Sequence, residues 1–263
     1  MTEVGCKTLG SIDCGTWIET HEGMDKVEES HRNGIQEVFT VITEEGNAIT
    51  GTALHRLMVR TDDGDFEWRK VGQLRPGTEL VMKLGGWLGG TVAEVPHEIE
   101  DFADSTVDPR LIHGDEPAIC AFLRRAFTEH GWITTEGVVS LDCPSEASAR
   151  DIQTMMFYIG VPLWRDASRL TICTKSGLMV FKEKIGFDSI ILKRRLDGID
   201  QESMVRALEA QGISHAEPDD EGHYFVKVKD VRADGKREVV DLPLPQRHAY
   251  LANGFLSHNR GGG

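Results

Sequence analysis

The chain has 263 residues, 40% of them hydrophobic and 27% charged, with a formal net charge of −14. That is enough for one large or two modest domains with a buried core, and ordinary for a soluble protein. The acidic balance argues against general nucleic-acid affinity, which needs Lys and Arg to neutralise phosphates. No apolar run of roughly 18 residues is present to span a membrane, and no basic segment followed by an apolar stretch marks a secretory signal. Cys6, Cys14, Cys120, Cys143 and Cys173 show no Cys-x-x-Cys spacing. An odd, scattered set suits a reducing cytoplasm better than a disulfide frame or a zinc site.

Along the chain, residues 1–10 read as an upstream flank. Short strands are then expected at Thr16–Thr20, Val38–Thr43, Ala48–Thr52, Leu57–Arg60, Phe66–Trp68 and Glu79–Lys83. Period-two alternation supports them, with turns at Glu45-Gly46-Asn47 and Asp63-Gly64-Asp65. The Gly85-Gly86 and Gly89-Gly90 pairs punctuate the chain, and an acidic stretch without pattern follows from Glu94 to Asp108. From Glu116 the character changes. Ile119, Phe122, Leu123, Ala126 and Phe127 fall at helical spacing within Glu116–His130. Val138–Asp142 is a strand, and Ser145–Gly160 a helix with Ser145 as its N-cap. A strand at Leu170–Thr174 precedes helices at Leu178–Ile185, Ser189–Leu196 and Gln201–Gln211. Strands return at Val226–Val231, Val239–Leu244 and His248–Leu251. A mixed α/β segment thus interrupts an all-β unit whose halves must pair across the gap.

The C-terminal segment carries the chemistry. Ala252-Asn253-Gly254-Phe255-Leu256-Ser257-His258-Asn259 ends on a His-Asn pair, with Arg260 and three glycines after it. An Asn side-chain amide can attack its own main-chain carbonyl, forming a succinimide and cutting the chain after itself. Amide resonance resists this; a neighbouring imidazole helps by giving a proton to the leaving nitrogen. Taken alone, His-Asn is most often a surface turn. Its surroundings point elsewhere.

With Glu238-Val239-Val240-Asp241-Leu242-Pro243-Leu244 and His248-Ala249-Tyr250-Leu251 upstream, the tail resembles the C-terminal splicing blocks of inteins, which excise themselves from a host and join the flanks. The N-terminal half resembles the same family. Gly51-Thr52-Ala53-Leu54-His55 is similar to its Thr-x-x-His block, followed by Asp62-Asp63-Gly64, Trp68 and Gln73-Leu74-Arg75-Pro76-Gly77. Ser11-Ile12-Asp13-Cys14-Gly15-Thr16-Trp17-Ile18-Glu19-Thr20 fits the first block. The resemblance covers nearly all of residues 11–259. It implies an all-β Hedgehog/intein (HINT) horseshoe formed by 11–95 and 222–259, with 1–10 and 260–263 as extein flanks. Residues 96–221 would be a smaller α/β insertion.

The resemblance also implies roles. Ser11 would attack the Gly10 carbonyl, with Cys14 the runner-up nucleophile. His55 would donate a proton to the scissile amide nitrogen, and an imidazole titrating near neutrality acts both ways. Thr52 would hydrogen-bond the same amide or carbonyl. Asp241 would serve as base or acid beside the first nucleophile, His248 and His258 would assist cyclisation, and Asn259 would cyclise. Plain alternatives stand beside these: Ser11 as a turn residue after glycine, Thr52 as a strand former, His55 as a strand-end histidine and Asp241 as a solvated carboxylate. The departure is Arg260. The family needs Cys, Ser or Thr there to accept the N-terminal flank, and a guanidinium stays protonated. Cleavage is therefore expected more than ligation.

The insertion resembles the second half of a LAGLIDADG-type homing endonuclease. Phe122-Leu123-Arg124-Arg125-Ala126-Phe127-Thr128-Glu129-His130-Gly131 matches a helix that ends on an acidic residue before glycine. His130 stands where that family's Mg²⁺-binding carboxylate belongs, and Mg²⁺ prefers oxygen ligands. Glu129 is the remaining metal candidate. No first copy of the motif precedes residue 116, and two-metal cleavage needs carboxylates from both halves. Between Glu100 and Asp220 acidic residues outnumber basic ones 21 to 13, a poor charge for gripping a duplex. The segment reads as a degenerate half. Splicing would then need no cofactor, with Mg²⁺ required only by a surviving nuclease. Partners would be the exteins in cis, with no DNA or membrane, for a cytoplasmic monomer. The competing functions are a nuclease acting on double-stranded DNA and a plain β-rich interaction module.

Overall fold

A computed structural model describes residues 2, 7–20, 22–86, 107, 111, 114–244 and 249–258. The chain divides into two compact units, Met1–Lys83 with Asp220–Gly263, and Leu84–Asp219.

The first unit is built of strands. β1 (Trp17–Thr20) and β2 (Gly23–Lys26) form a hairpin; then follow β3 (His31–Thr43), β4 (Ala48–Gly51), β5 (Arg56–Arg60), β6 (Phe66–Lys70) and β7 (Glu79–Lys83). After the second unit the chain adds β12 (His223–Asp241), β13 (Ala249–Ala252) and β14 (Phe255–His258) to this one. Eight of them make one antiparallel sheet in the order β13-β14-β5-β7-β12-β3-β4, with β6 on β5. Its interior comes from residues directly opposite one another: Val59 and Leu80, Leu80 and Val226, Met82 and Tyr224. All five side chains are buried, and such facing apolar pairs are the unit of sheet stabilisation.

β12 organises this unit. Its first residues pair with β7, and from Val228 onward it pairs with β3, ending with Asp241 opposite His31. The ladder irregularities at Val228/Asp230, Ala233/Lys236 and Glu238/Val240 bend a strand and raise its twist. The two strands expected at Val226–Val231 and Val239–Leu244 are therefore one. Likewise β3 begins at His31 rather than Val38. Residues 31–37 are exposed on both faces, so they carry no alternation to read.

The second unit is α/β. α1 (Glu116–His130) and α2 (Glu146–Ile159) pack on a four-stranded antiparallel sheet of β8 (Gly131–Ile133), β9 (Val139–Asp142), β10 (Leu163–Asp166) and β11 (Arg169–Ile172). α3 (Lys175–Val180) runs into a π-helical turn at Phe181–Ile185, and α4 (Ile190–Asp197) and α5 (Gln201–Ala210) follow. Ser145 caps α2 as expected, accepting from the Ser148 N–H at 3.1 Å. The strand expected to reach Thr174 stops at Ile172, because Thr174 caps α3 through the Gly177 N–H at 2.9 Å.

The core of this unit centres on three rings. Phe127 is fully buried, with its centroid 4.8 Å from Phe181 and 6.4 Å from Phe187. Phe127→Ala is expected to cost about 3–5 kcal/mol, read as a fall in the chemical-denaturation midpoint of the α/β unit. Among the described residues no helix is long and apolar enough to cross a membrane.

Candidate active site

Three corners of the β unit carry the expected residues. At the first, Leu9–Ser11 forms a 3-10 turn. Leu9 and Ile12 pack into an apolar cluster with Ile18, Val27, Val240, Leu242, Leu244 and Tyr250. That burial anchors the turn and leaves Ser11 exposed, its Oγ donating to the Thr8 carbonyl at 2.9 Å. Asp241 lies between Val240 and Leu242 of the same cluster. Burial, and then the Asp241 charge, push the Tyr250 phenol well above its ordinary range. The cluster thus gathers the segments that carry Ser11 and Asp241. Cys14, the alternative nucleophile, is exposed.

The second corner follows β4. The His55 N–H donates to the Thr52 carbonyl at 3.0 Å, closing a turn. Its far side is pinned by Val71 N–H to the His55 carbonyl at 2.8 Å and Gly72 N–H to the Ala53 carbonyl at 3.0 Å. Gly51 makes room for the ring: a β-carbon there would lie 3.0 Å from His55 Cβ and Cγ. His55 does not titrate near neutrality as the sequence suggested. Burial, and then the charge of His258, push its pKa down from 6.5 to about 4. Desolvation and a like charge both disfavour the imidazolium.

The third corner is the β13–β14 hairpin. Asn253 and Gly254 sit at φ 50° and 80°, the left-handed pair that a two-residue hairpin turn requires. The Asn253 amide donates to the Ala48 carbonyl at 3.2 Å. β14 did not figure among the expected strands, although Asn-Gly between apolar residues signals such a hairpin. It is decisive for the site, because His258 at its end pairs with Arg56 at the start of β5. The Thr52–His55 turn and the His258 end of the chain therefore meet. The Trp68 and His258 rings pack with centroids 4.9 Å apart and planes at 80°. The resemblance to inteins implied no role for Trp68. His248, Asn259 and Arg260 lie outside the described residues.

Three buried carboxylates were not anticipated: Glu19, Asp25 and Glu45. Burial raises Glu19 and Glu45 to about 7. No motif marks them, since their burial is set by the strands packed around them. In the α/β unit, Glu129 and His130 are exposed at the end of α1, 3.9 Å apart. Among the described residues no group of three or more His, Cys, Asp or Glu is placed to hold a metal ion.

The arrangement gathers a hydroxyl turn, a carboxylate, a desolvated imidazole and a second imidazole on one β unit. Among solved structures, the chain is similar to a DnaB intein from Synechocystis sp., with 11% identity, a TM-score of 0.39, and 97% of this chain and 87% of that one covered. It is also similar to the gp41-1 intein, with 10% identity, a TM-score of 0.37, and 96% and 87% covered. The family model of the intein splicing domain matches residues 15–259, nearly the whole sequence; the chain belongs to the inteins, proteins that splice themselves out of their flanking polypeptides.

Proposed function

We propose that this intein cuts at both of its junctions and ligates poorly. Ser11 Oγ attacks the carbonyl carbon of Gly10; the C–N bond breaks, a C–O ester forms, and the hydroxyl proton ends on the Ser11 amine. The neutral His55 imidazole takes and returns that proton, while the Thr52 hydroxyl hydrogen-bonds the strained amide. Asp241 supplies a carboxylate beside the nucleophile. At the other end, the Asn259 side-chain nitrogen attacks its own carbonyl and the bond to Arg260 breaks. A succinimide remains on the chain; the proton that the attacking amide nitrogen loses is taken up by His248, and His258 gives one to the new Arg260 amine. Arg260 has no side-chain nucleophile to accept the ester, so water or added thiol cleaves it. Ligation is poor for want of that group.

The observation that supports this reading is the pairing of His258 with Arg56, the chain neighbour of His55, together with the effect of the His258 charge on His55. The exteins act in cis; the reaction is that of a monomer in the cytoplasm and uses no metal or DNA. The interrupting α/β unit is read as a degenerate LAGLIDADG-type half. Supporting this are its α/β build and the helix ending Glu129-His130-Gly131, where an imidazole replaces the carboxylate that Mg²⁺ favours.

The test is intact mass over time, with a small folded protein fused at each end. The chain as it stands is expected to release separate flanks, and Arg260→Ser to yield joined flanks. A precursor inert in both forms sinks the proposal.

A further inference from the structure

Trp68 is the aromatic neighbour of the C-terminal histidine and has no part in the chemistry above. It lies on β6 opposite Met58 of β5. Together with Met58 and Phe225 it packs against the buried cluster of Val81, Leu251 and Leu256, so its indole is held from beneath. His258 is the last described residue before the cut. Its backbone pairs with Ala249 on one side and Arg56 on the other. Those pairings fix the strand, not the two side-chain torsions that aim the ring. The perpendicular contact with Trp68, at 4.9 Å, is a favoured aromatic geometry and restricts those torsions. One nearby charge weighs against a cationic His258: Arg56 is directly opposite across the strands, where like charges repel. An aromatic ring in contact offsets part of that repulsion by attracting the imidazolium.

We infer that Trp68 is a positioning residue for the C-terminal cut: its indole holds the His258 imidazole in the orientation and charge state from which the proton reaches the departing Arg260 nitrogen. The inference rests on the proposed roles of His258 and Asn259.

The experiment compares Trp68→Leu and Trp68→Phe in the full chain with both flanking proteins. Two rates are read: the cut after Asn259, and hydroxylamine cleavage of the ester at Gly10–Ser11. Trp68→Leu is expected to slow the C-terminal cut about tenfold, because a misplaced group loses rate steeply. It should also move the His258 titration, followed by NMR in an Asn259→Ala background, to lower pH. The N-terminal rate should stay as it was. Trp68→Phe keeps a ring and should recover most of the lost rate. An unchanged cut and titration in Trp68→Leu overturns the inference. So does an equal slowing of both junctions in both variants, which marks a merely structural residue. His258→Ala separates the two layers. If it leaves the cut intact, the assigned role of His258 has failed; if it stops the cut while Trp68→Leu does not slow it, only the role of Trp68 has.

Discussion

Replacing His55 by alanine is expected to slow ester formation at Gly10–Ser11 by about 10²- to 10⁴-fold, the usual worth of a positioned acid–base group. The loss should be selective, because the Thr52–His55 turn is held by main-chain bonds from Val71 and Gly72 that alanine keeps. The pH profile discriminates further. With its pKa near 4, the ring is neutral at pH 7 and stays so as the medium is acidified. Ester formation, trapped with hydroxylamine in an Asn259→Ala chain, should therefore hold its rate from about pH 8 to pH 5. An inflection near 6.5, the ordinary histidine value, would contradict the buried assignment.

The same shift has a stability consequence with a definite sign. Between about 4 and 6.5 the unfolded chain takes up a proton that folded His55 refuses. Its contribution is complete above pH 6.5 and declines as the pH falls through that window. Glu19 and Glu45 run the other way. Raised from 4.5 to about 7, each bears a proton in the fold that the unfolded chain has released. Their contribution is full below pH 4.5 and fades as the pH rises through 7. His55→Ala should remove only the first slope, measurable as denaturation midpoint against pH.

The second large effect is at Asn259. Asn259→Ala is expected to abolish the cut before Arg260 outright, since no other atom can form the succinimide, while the ester at Ser11 still forms. Asn253-Gly254 is the internal comparison. In a flexible chain that dipeptide deamidates readily through attack by the glycine nitrogen. Here its amide is tied to the Ala48 carbonyl and its backbone is locked in the hairpin turn. Asn253→Gly, which suits the same turn, should leave the C-terminal cut in place. Mass spectrometry should find the succinimide at Asn259 alone. Cutting at Asn253 would show that the β13–β14 hairpin does not hold.

Local signals read well where one face of an element is buried. Ile119, Phe122, Leu123, Ala126 and Phe127 mark α1 by their spacing, and all five are buried. Ser145 marks the start of α2 because capping is settled within one turn of chain. The signals fade where both faces meet water, as in the outer ribbon of β3 and β12. They also fade at short strands such as β2, β8 and β10, whose partners and not whose composition make them strands. The bulges in β12 broke its alternation and made one strand look like two.

What the sequence by itself determined is the chemical inventory and its order: a hydroxyl at Ser11, a Thr-x-x-His segment, a His-Asn pair, and Arg260 directly after it. These follow from side-chain chemistry and from neighbours a few residues apart. Only the tertiary structure decided that His55 and His258, from opposite ends of the chain, stand together with Trp68 beside them, and that His55 is neutral at working pH. Strand register is set by pairing across the whole chain, and desolvation is the sum of everything packed around a group; neither is a property of any local window of residues.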